Sequence, residues 1–246
     1  MIDLTIRATP RAILFDLDDT LTDRAGSIDR VAGRFQERFG RQLSTLAMPD
    51  LVAAIRQADG GGYRPRMELA TTLAATLPWT VPVDPQAILA FWLQEFPAAN
   101  VLRSGAISTI TALAATGIRL GIVSNGSTAA QSQKIELLGL KPWFQSVIIS
   151  EACGCRKPDP RIFAMALADL QTAPGDAWFV GDHPVNDIIG ATAAGLSAIW
   201  IGTAGAWPSE LARPFRIIRE LPDVLEMHSN NGWDGNTESG RASTSE

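Results

Sequence analysis

The sequence predicts an α/β fold in which a doubly wound parallel sheet carries the functional residues at one edge. Short β-like apolar runs alternate with helical patterns along most of the 246 residues, as in βαβ units. Acidic and polar residues follow several of these runs, and sheets of this kind bind ligands at their carboxyl edge. A long stretch without a strand interrupts the alternation after the first run, which indicates an inserted α-helical domain.

The first predicted strand, at 12–15, runs directly into the acidic sequence DLDDT at 16–20. Four apolar residues are too few for a helix and suit a strand that is buried on both faces. Asp16 and Asp18 are two residues apart, so on an extended backbone they project from the same side. Because bunched carboxylates repel one another, a cation usually accompanies them. This turn therefore predicts a functional site, with a solvated helix-capping turn as the alternative.

The remaining elements continue the alternation of strands and helices. Further strands are predicted at 118–123, 147–149, 177–180 and 198–201, with a weaker one at 216–218. A helix at 127–138, closed by Gly139, separates the second strand from the third, and a helix at 160–170 separates the third from the fourth. This order gives a parallel, doubly wound sheet.

Residues 22–100 contain helical patterns and no convincing strand. Four helices are expected there: one capped by Ser27, one with Pro49 at its first position, one at 65–77, and one that opens at Asp84-Pro85. Both ends of this insertion return to the acidic turn. We therefore predict a helical cap at 22–100 over an α/β core made of 1–21 and 101–228, with an insertion remote from the site as the alternative.

Composition narrows the class of protein. A net charge of −5 argues against a nucleic-acid polymer as partner, because binding of a phosphate backbone needs a basic face. No apolar run is long enough to cross a bilayer, and polar residues interrupt any signal-peptide core. Cys153 and Cys155 lack the neighbours of a metal site and are expected to be reduced thiols. We expect a cytoplasmic protein without a membrane partner, and a disordered tail at 229–246.

Three further strand ends add to the candidate site. Ser124 and Asn125 follow the second strand and offer donors to an anion. Lys157 follows the third strand, beside prolines that stiffen its segment, and is placed to neutralise a phosphate or the acidic turn. Asp182 and Asp187 follow the fourth strand and supply hard oxygen ligands for Mg²⁺. Taken singly, these residues also suit helix caps or a solvated surface.

Together these motifs resemble those of the haloacid dehalogenase-like (HAD) hydrolase superfamily. The match consists of the D-x-D-D-T turn, the strand-end Ser124, Lys157 before a proline, and G-D-x-x-x-x-D at 181–187. It extends from about residue 11 to about residue 226, and the insertion resembles the C1-type cap of subfamily I. The resemblance implies a Rossmann-like core and an Mg²⁺-dependent phosphatase acting on a small phosphomonoester, such as a nucleotide, a sugar phosphate or phosphoglycolate.

The resemblance also implies a role for each motif residue. Asp16 would be the nucleophile that forms an aspartyl-phosphate, and Asp18 the general acid and base. Lys157 would stabilise the nucleophile and the transferring group. The phosphoryl group would be held by Ser124 and the backbone of Asn125. The implied Mg²⁺ ligands are Asp16, the main-chain carbonyl of Asp18, Asp182 and, directly or from the second layer, Asp187.

Two questions stay open at this point. Dehalogenases of the family lack the acid found here at Asp18, since a halide leaves without a proton, so a phosphatase is favoured. A phosphomutase, a 2-haloacid dehalogenase and a catalytically idle binding protein remain the alternatives. In the cap, the loop at 59–66 contains three glycines, and Tyr63, Arg64 and Arg66 are candidates for contact with the leaving group. A flexible loop with solvated arginines is the other interpretation.

Overall fold

The computed structural model describes residues 9–62 and 64–229. Within them, one parallel sheet is built from β1 Ala12–Phe15, β2 Arg119–Ser124, β3 Ser146–Ile149, β4 Ala177–Gly181, β5 Ser197–Ile201 and β6 Arg216–Ile218. The strand order is β3-β2-β1-β4-β5-β6, and every neighbouring pair is parallel. The order changes direction between β1 and β4, the position at which open α/β sheets bind ligands. The predicted fold class and all the predicted strands are confirmed.

Helices cover the sheet and form a separate layer between β1 and β2. The helices are α1 Arg24–Phe39, α2 Met48–Asp59, α3 Arg66–Thr76, α4 Pro85–Ala99, α5 Ala106–Ala115, α6 Thr128–Leu137, α7 Ser150–Cys153, α8 Pro160–Asp169, α9 Gly190–Ala193 and α10 Asp223–Ser229. A π-helical turn, Pro184–Ile189, leads into α9. No described helix has both the length and the apolar character needed to span a membrane.

Side chains alternate between the two faces of the sheet, so each face has its own apolar cluster. Ile13 and Phe15 belong to the cluster on one face, whereas Leu14 packs with Phe163 and Phe179 on the other. This alternation is what a strand with a two-residue repeat produces when both faces are covered. It explains why the sequences of β1 and β4 contain no polar side chain.

The four helices α1–α4 bury a third cluster of their own. Its centre is aromatic: the rings of Phe35 and Phe39 have centroids 4.7 Å apart, and Phe91 lies 5.4 Å from Phe35 in an edge-on arrangement. The predicted helices of this segment are confirmed, including the proline in the first turn of α2. The division into a cap at 22–100 and a core remains a prediction, and residues 230–246 of the predicted tail lie outside the described part of the chain.

The start of α1 differs from the expectation. The predicted cap at Ser27 is wrong, because the Asp23 side chain accepts a hydrogen bond from the Gly26 N–H at 3.0 Å and the helix begins at Arg24. Ser27 is instead buried in the first turn, and its Oγ accepts from the Val101 N–H at 3.1 Å. Both residues are good caps by type. Asp23 caps the helix, whereas Ser27 instead connects α1 to the chain that returns from α4.

The two connections between the helical layer and the sheet lie side by side. Thr22 and Leu102 form an isolated antiparallel bridge. The Asp23 N–H donates to the Val101 carbonyl and the Arg103 N–H donates to the Leu21 carbonyl, each at 2.9 Å. The chain therefore leaves and re-enters the core next to the acidic turn, which places α1–α4 over the carboxyl edge of the sheet.

Candidate active site

Three carboxylates lie together at the carboxyl ends of β1 and β4, and an ammonium group contacts two of them. Lys157 Nζ lies 2.5 Å from Asp16 Oδ1 and 2.6 Å from Asp187 Oδ1. One carboxylate oxygen from each of Asp16, Asp182 and Asp187 lies within 4.8 Å of the other two. Asp16, Lys157 and Asp187 are buried. The structure thus brings together four of the residues singled out in the sequence.

The electrostatics of this cluster fit a divalent cation. Burial, together with repulsion from Asp187, raises the pKa of Asp16 to about 7 even though Lys157 opposes the shift. Burial and repulsion from Asp16 and Asp187 raise the pKa of Asp182 to about 8. Lys157 pairs with Asp16 and Asp187 but not with Asp182, so the ionised cluster carries an excess of negative charge that a divalent cation would balance. Hard carboxylate oxygens are the ligands that Mg²⁺ takes in proteins.

Backbone contacts fix the acidic turn and Lys157. Asp19 has a positive φ of 60°, and the Arg103 guanidinium holds this turn by donating to the Asp19 and Thr20 carbonyls. The Asn125 side chain clamps Lys157 on both sides: its Oδ1 accepts from the Lys157 N–H at 2.9 Å, and its Nδ2 donates to the Lys157 carbonyl at 3.1 Å. The side chain of Asn125 therefore positions the lysine. The Asn125 carbonyl accepts from Gln131 Nε2 at 3.3 Å, so the predicted phosphoryl contact falls to the Asn125 backbone N–H.

Asp18 does not join the carboxylate cluster with its side chain. Its Oδ1 pairs with Lys134 Nζ, and its Oδ2 accepts from Gln131 Nε2 at 2.8 Å. Gln131 Nε2 also donates to Ser124 Oγ at 2.7 Å, so one amide links two of the predicted site residues. Burial alone would raise the pKa of Asp18. The Lys134 charge and the hydrogen bonds from Lys134 and Gln131 outweigh this effect, so the pKa is lowered overall.

Gln131 and Lys134 escaped the sequence reasoning. They are three residues apart on α6 and so share one face of that helix, directly after the motif that ends in Ser124. That spacing was the available signal. Which face of α6 turns toward the site depends on its packing against the sheet, which the local sequence does not reveal.

The cap residues predicted from the loop at 59–66 are placed differently from one another. Arg66 lines the cavity above the carboxylates, whereas Arg64 is not among its lining residues and its Nε lies 3.3 Å from Glu68 Oε1. Tyr63 lies outside the described residues. A lining residue that the sequence reasoning missed is Arg24, whose Nε donates to the buried Asp59 at 2.8 Å.

A single cavity of about 610 Å³ connects the carboxylates to the helical layer. Its floor includes Asp16 and Lys157, and its opposite wall includes Arg24, Arg66 and Trp92. This volume is that of a small-molecule site, and its wall combines apolar surface with a few charged groups, as such sites do. The arrangement is suited to nucleophilic attack by a buried carboxylate on a small anionic substrate held between the two layers.

The comparisons with known proteins agree with this description. A family model described as haloacid dehalogenase-like hydrolase matches residues 10–195, so the chain belongs to the haloacid dehalogenase-like hydrolase family, and the predicted resemblance is confirmed.

Similar proteins include a glyceraldehyde 3-phosphate phosphatase from Pyrococcus furiosus, with 29% identity over 91% of this chain and 95% of that protein. Phosphoglycolate phosphatase 1 from Pseudomonas aeruginosa has 26% identity over 88% of this chain and 79% of the relative. Among solved structures, a protein assigned as the HAD-hydrolase YfnB of Bacillus subtilis, bound to magnesium, superimposes with a TM-score of 0.73 and 24% identity, covering 90% of this chain and 100% of that one. The structural likeness, at this identity, shows the fold.

Proposed function

We propose that this protein is an Mg²⁺-dependent phosphatase that hydrolyses a small phosphomonoester through an aspartyl-phosphate. The observation that carries the proposal is the separation of two acids at the end of β1. Asp16 forms an ion pair with Lys157 in the carboxylate cluster. The Asp18 side chain is held away from that cluster by a hydrogen bond from Gln131 and an ion pair with Lys134. One acid is thus placed as a nucleophile and the other as a proton carrier. The relatives from Pyrococcus and Pseudomonas are both named as phosphatases of small phosphate esters, which supports this reaction class.

In the first step, the Asp16 carboxylate attacks phosphorus, and the bond between phosphorus and the ester oxygen breaks. Asp18 gives its proton to the departing alkoxide, which is a poor leaving group without one. The charge of Lys134 and the bonds from Lys134 and Gln131 lower the pKa of Asp18, and a phosphoryl dianion bound beside it would raise that pKa by like-charge repulsion. In the second step, Asp18 takes a proton from water as the water oxygen attacks phosphorus, which frees Asp16 and inorganic phosphate.

Charge on the transferring group is met by residues of three strand ends. Burial alone would lower the pKa of Lys157. The charges of Asp16 and Asp187 outweigh this effect and raise the pKa above its ordinary range, so this lysine stays protonated. Ser124 Oγ accepts from Gln131, so its own O–H is left to donate to a phosphoryl oxygen. Asp16, Asp182, Asp187 and the Asp18 carbonyl would hold Mg²⁺, which when bound offsets the repulsion between the nucleophile and the phosphate.

We also propose that residues 22–100 are the cap of this enzyme. The enzyme, in the same proposal, acts in the cytoplasm. The helices of this segment supply the wall of the cavity that faces the nucleophile, which supports a role in substrate choice. Cys153 and Cys155 are free thiols with their sulfurs 3.5 Å apart, a state that suits a reducing compartment.

The proposal is tested by hydrolysis of p-nitrophenyl phosphate with Mg²⁺, with EDTA, and with the Asp16→Asn variant. We expect activity only in the wild-type protein with Mg²⁺. Asp29→Asn is the matched control, because Asp29 is exposed, pairs with Arg56 and lies outside the cavity lining. Activity that survives Asp16→Asn, or that is indifferent to EDTA, would contradict the mechanism.

Three further readouts separate the alternatives. Phosphate that appears on a second hydroxyl instead of in solution would indicate a phosphomutase. Halide released from a 2-haloacid would indicate a dehalogenase. A folded protein that binds phosphate esters but turns none of them over would indicate an idle binding protein.

A further inference from the structure

Two arginines on the helical wall of the cavity share one buried carboxylate. Asp59, at the end of α2, is fully buried and accepts from Arg24 Nε at 2.8 Å and from Arg24 Nη2 at 2.5 Å. Arg66 Nη1 donates to the same carboxylate at 3.2 Å. The Phe96 ring lies 5.1 Å from the Arg24 guanidinium, which is thereby held in one orientation.

The Gly62 position shows how closely the loop packs on this guanidinium. A Cβ at Gly62 would lie 2.7 Å from Arg24 Cζ, so any side chain there would displace the guanidinium. Gly62 also accepts from Arg66 Nη2 through its carbonyl, at 3.4 Å. The loop between α2 and α3 thus holds both guanidinium groups in the cavity wall.

The charges of this cluster do not balance. Two guanidiniums pair with one carboxylate, that of Asp59. Asp18 attracts both of them and Asp19 attracts Arg24, but among the described residues neither forms a side-chain ion pair with an arginine of this wall. The lysines of the cavity differ in this respect, since Lys134 pairs with Asp18 and Lys157 with Asp16 and Asp187. A partly desolvated guanidinium that shares its carboxylate is less well compensated than one with a carboxylate of its own, and an anion brought into the cavity would improve that compensation.

We infer that Arg24 and Arg66, oriented by Asp59, bind a second anionic group, a carboxylate or a phosphate, on the leaving-group side of the substrate. This inference rests on the proposed function, which fixes the phosphoryl group at Asp16 and Lys157. The cavity is continuous between the two pairs of residues. An uncharged leaving group would cover the surplus charge without neutralising it, so the wall selects against such a substrate.

Three two-carbon phosphate esters test the inference. 2-Hydroxyethyl phosphate ends in a neutral hydroxyl, phosphoglycolate in a carboxylate, and ethylene glycol bisphosphate in a second phosphate. Charge-assisted hydrogen bonds lead us to expect kcat/KM for one of the two anionic esters to exceed that for the neutral ester by about 10- to 100-fold. The anionic ester that shows the preference identifies the group.

Arg66→Gln is the first variant, because Arg66 is a third exposed and its loss leaves the Arg24–Asp59 pair intact. We expect it to remove most of the anionic preference, mainly by raising KM for the preferred anionic ester. Arg56→Gln is the matched control, because Arg56 is half exposed, lies on α2 and does not line the cavity. It should keep the full preference. A second variant, Arg24→Met with Asp59→Leu, removes the buried pair as a unit and should abolish the preference.

The outcomes separate this inference from the proposed function. If the wild-type protein hydrolyses the neutral ester as well as the anionic ones, or if Arg66→Gln and the double variant keep the preference, the anion site is refuted while the phosphatase stands. If none of the three esters is hydrolysed, p-nitrophenyl phosphate decides the proposed function, and calorimetric titration of the same three esters decides the anion site alone. Tighter binding of an anionic ester that is lost in Arg66→Gln would support it, and equal binding of all three would refute it.

Discussion

Removing Asp59 should destabilise the fold more than removing either of its arginine partners. Asp59→Ala leaves two guanidiniums without their shared carboxylate, and Arg24 is nearly buried, with 9% of its side chain exposed. Breaking a buried ion pair from one side costs about 3–5 kcal/mol, because the remaining charge is left unpaired. Arg24→Met should cost about 3 kcal/mol, the lower end of that range, because Arg66 still donates to Asp59. Arg66→Gln should cost at most about 1 kcal/mol, since Arg66 is a third exposed.

The assay is reversible unfolding in urea, supported by the thermal midpoint. For a chain of this size a loss of 1 kcal/mol lowers Tm by about 2–4 °C, so Asp59→Ala should melt at least about 6 °C below the wild type. The double variant Arg24→Met with Asp59→Leu should lose less unfolding free energy than the two single variants lose in sum, because it leaves no unpaired charge between these two positions. Additive costs within about 0.5 kcal/mol, or a smaller cost for Asp59→Ala than for Arg66→Gln, would refute the reasoning.

Three other predictions concern the metal, Lys157 and the helical layer. Because the pKa values of Asp16 and Asp182 are raised to about 7 and about 8, protons compete with Mg²⁺ below those values. Calorimetric affinity for Mg²⁺ should therefore rise from pH 6 to pH 8, by up to about tenfold per pH unit for each proton released, and a flat profile would count against the site. Asn125→Ala removes two hydrogen bonds to the Lys157 backbone. It should lower the free energy of unfolding in urea by about 2 kcal/mol and should reduce kcat. Unchanged kinetics would show that these hydrogen bonds are dispensable. Phe35→Ala should cost about 3–5 kcal/mol, since Phe35 is fully buried at the aromatic centre of α1–α4; a loss below about 1 kcal/mol would mean that this centre collapses around the gap.

The strand ends were predictable because the relevant physics is local. A short, wholly apolar run such as 12–15 can be buried on both faces of a parallel sheet, and polar residues after it can only lie at the carboxyl edge. Asp16, Lys157 and Asp187 lie far apart along the chain, yet the parallel sheet brings them into contact at one edge. For these residues the topology followed from the alternation of strands and helices, and the contacts followed from the topology.

Contacts that depend on helix packing were not predictable in the same way. Arg24 and Asp59 are 35 residues apart on different helices, and only the packing of α1 on α2 turns them toward each other. Lys134 reaches Asp18 because of the rotation of α6 about its own axis, which nearby residues alone do not set. The predicted cap of α1, Ser27, and the observed cap, Asp23, are both good caps by residue type, and only the tertiary contact of Ser27 with Val101 distinguishes them.

The bridge between Thr22 and Leu102 has a mechanical consequence. The helical layer is joined to the sheet by two chain segments that are bonded to each other, and Arg103 ties the second of them to the acidic turn. A rigid rotation of the helices about these segments would have its pivot beside the nucleophile, so Asp16 would be displaced least and the far side of the cavity most. Such a lever would widen the entrance for substrate and product while leaving the attacking oxygen in place.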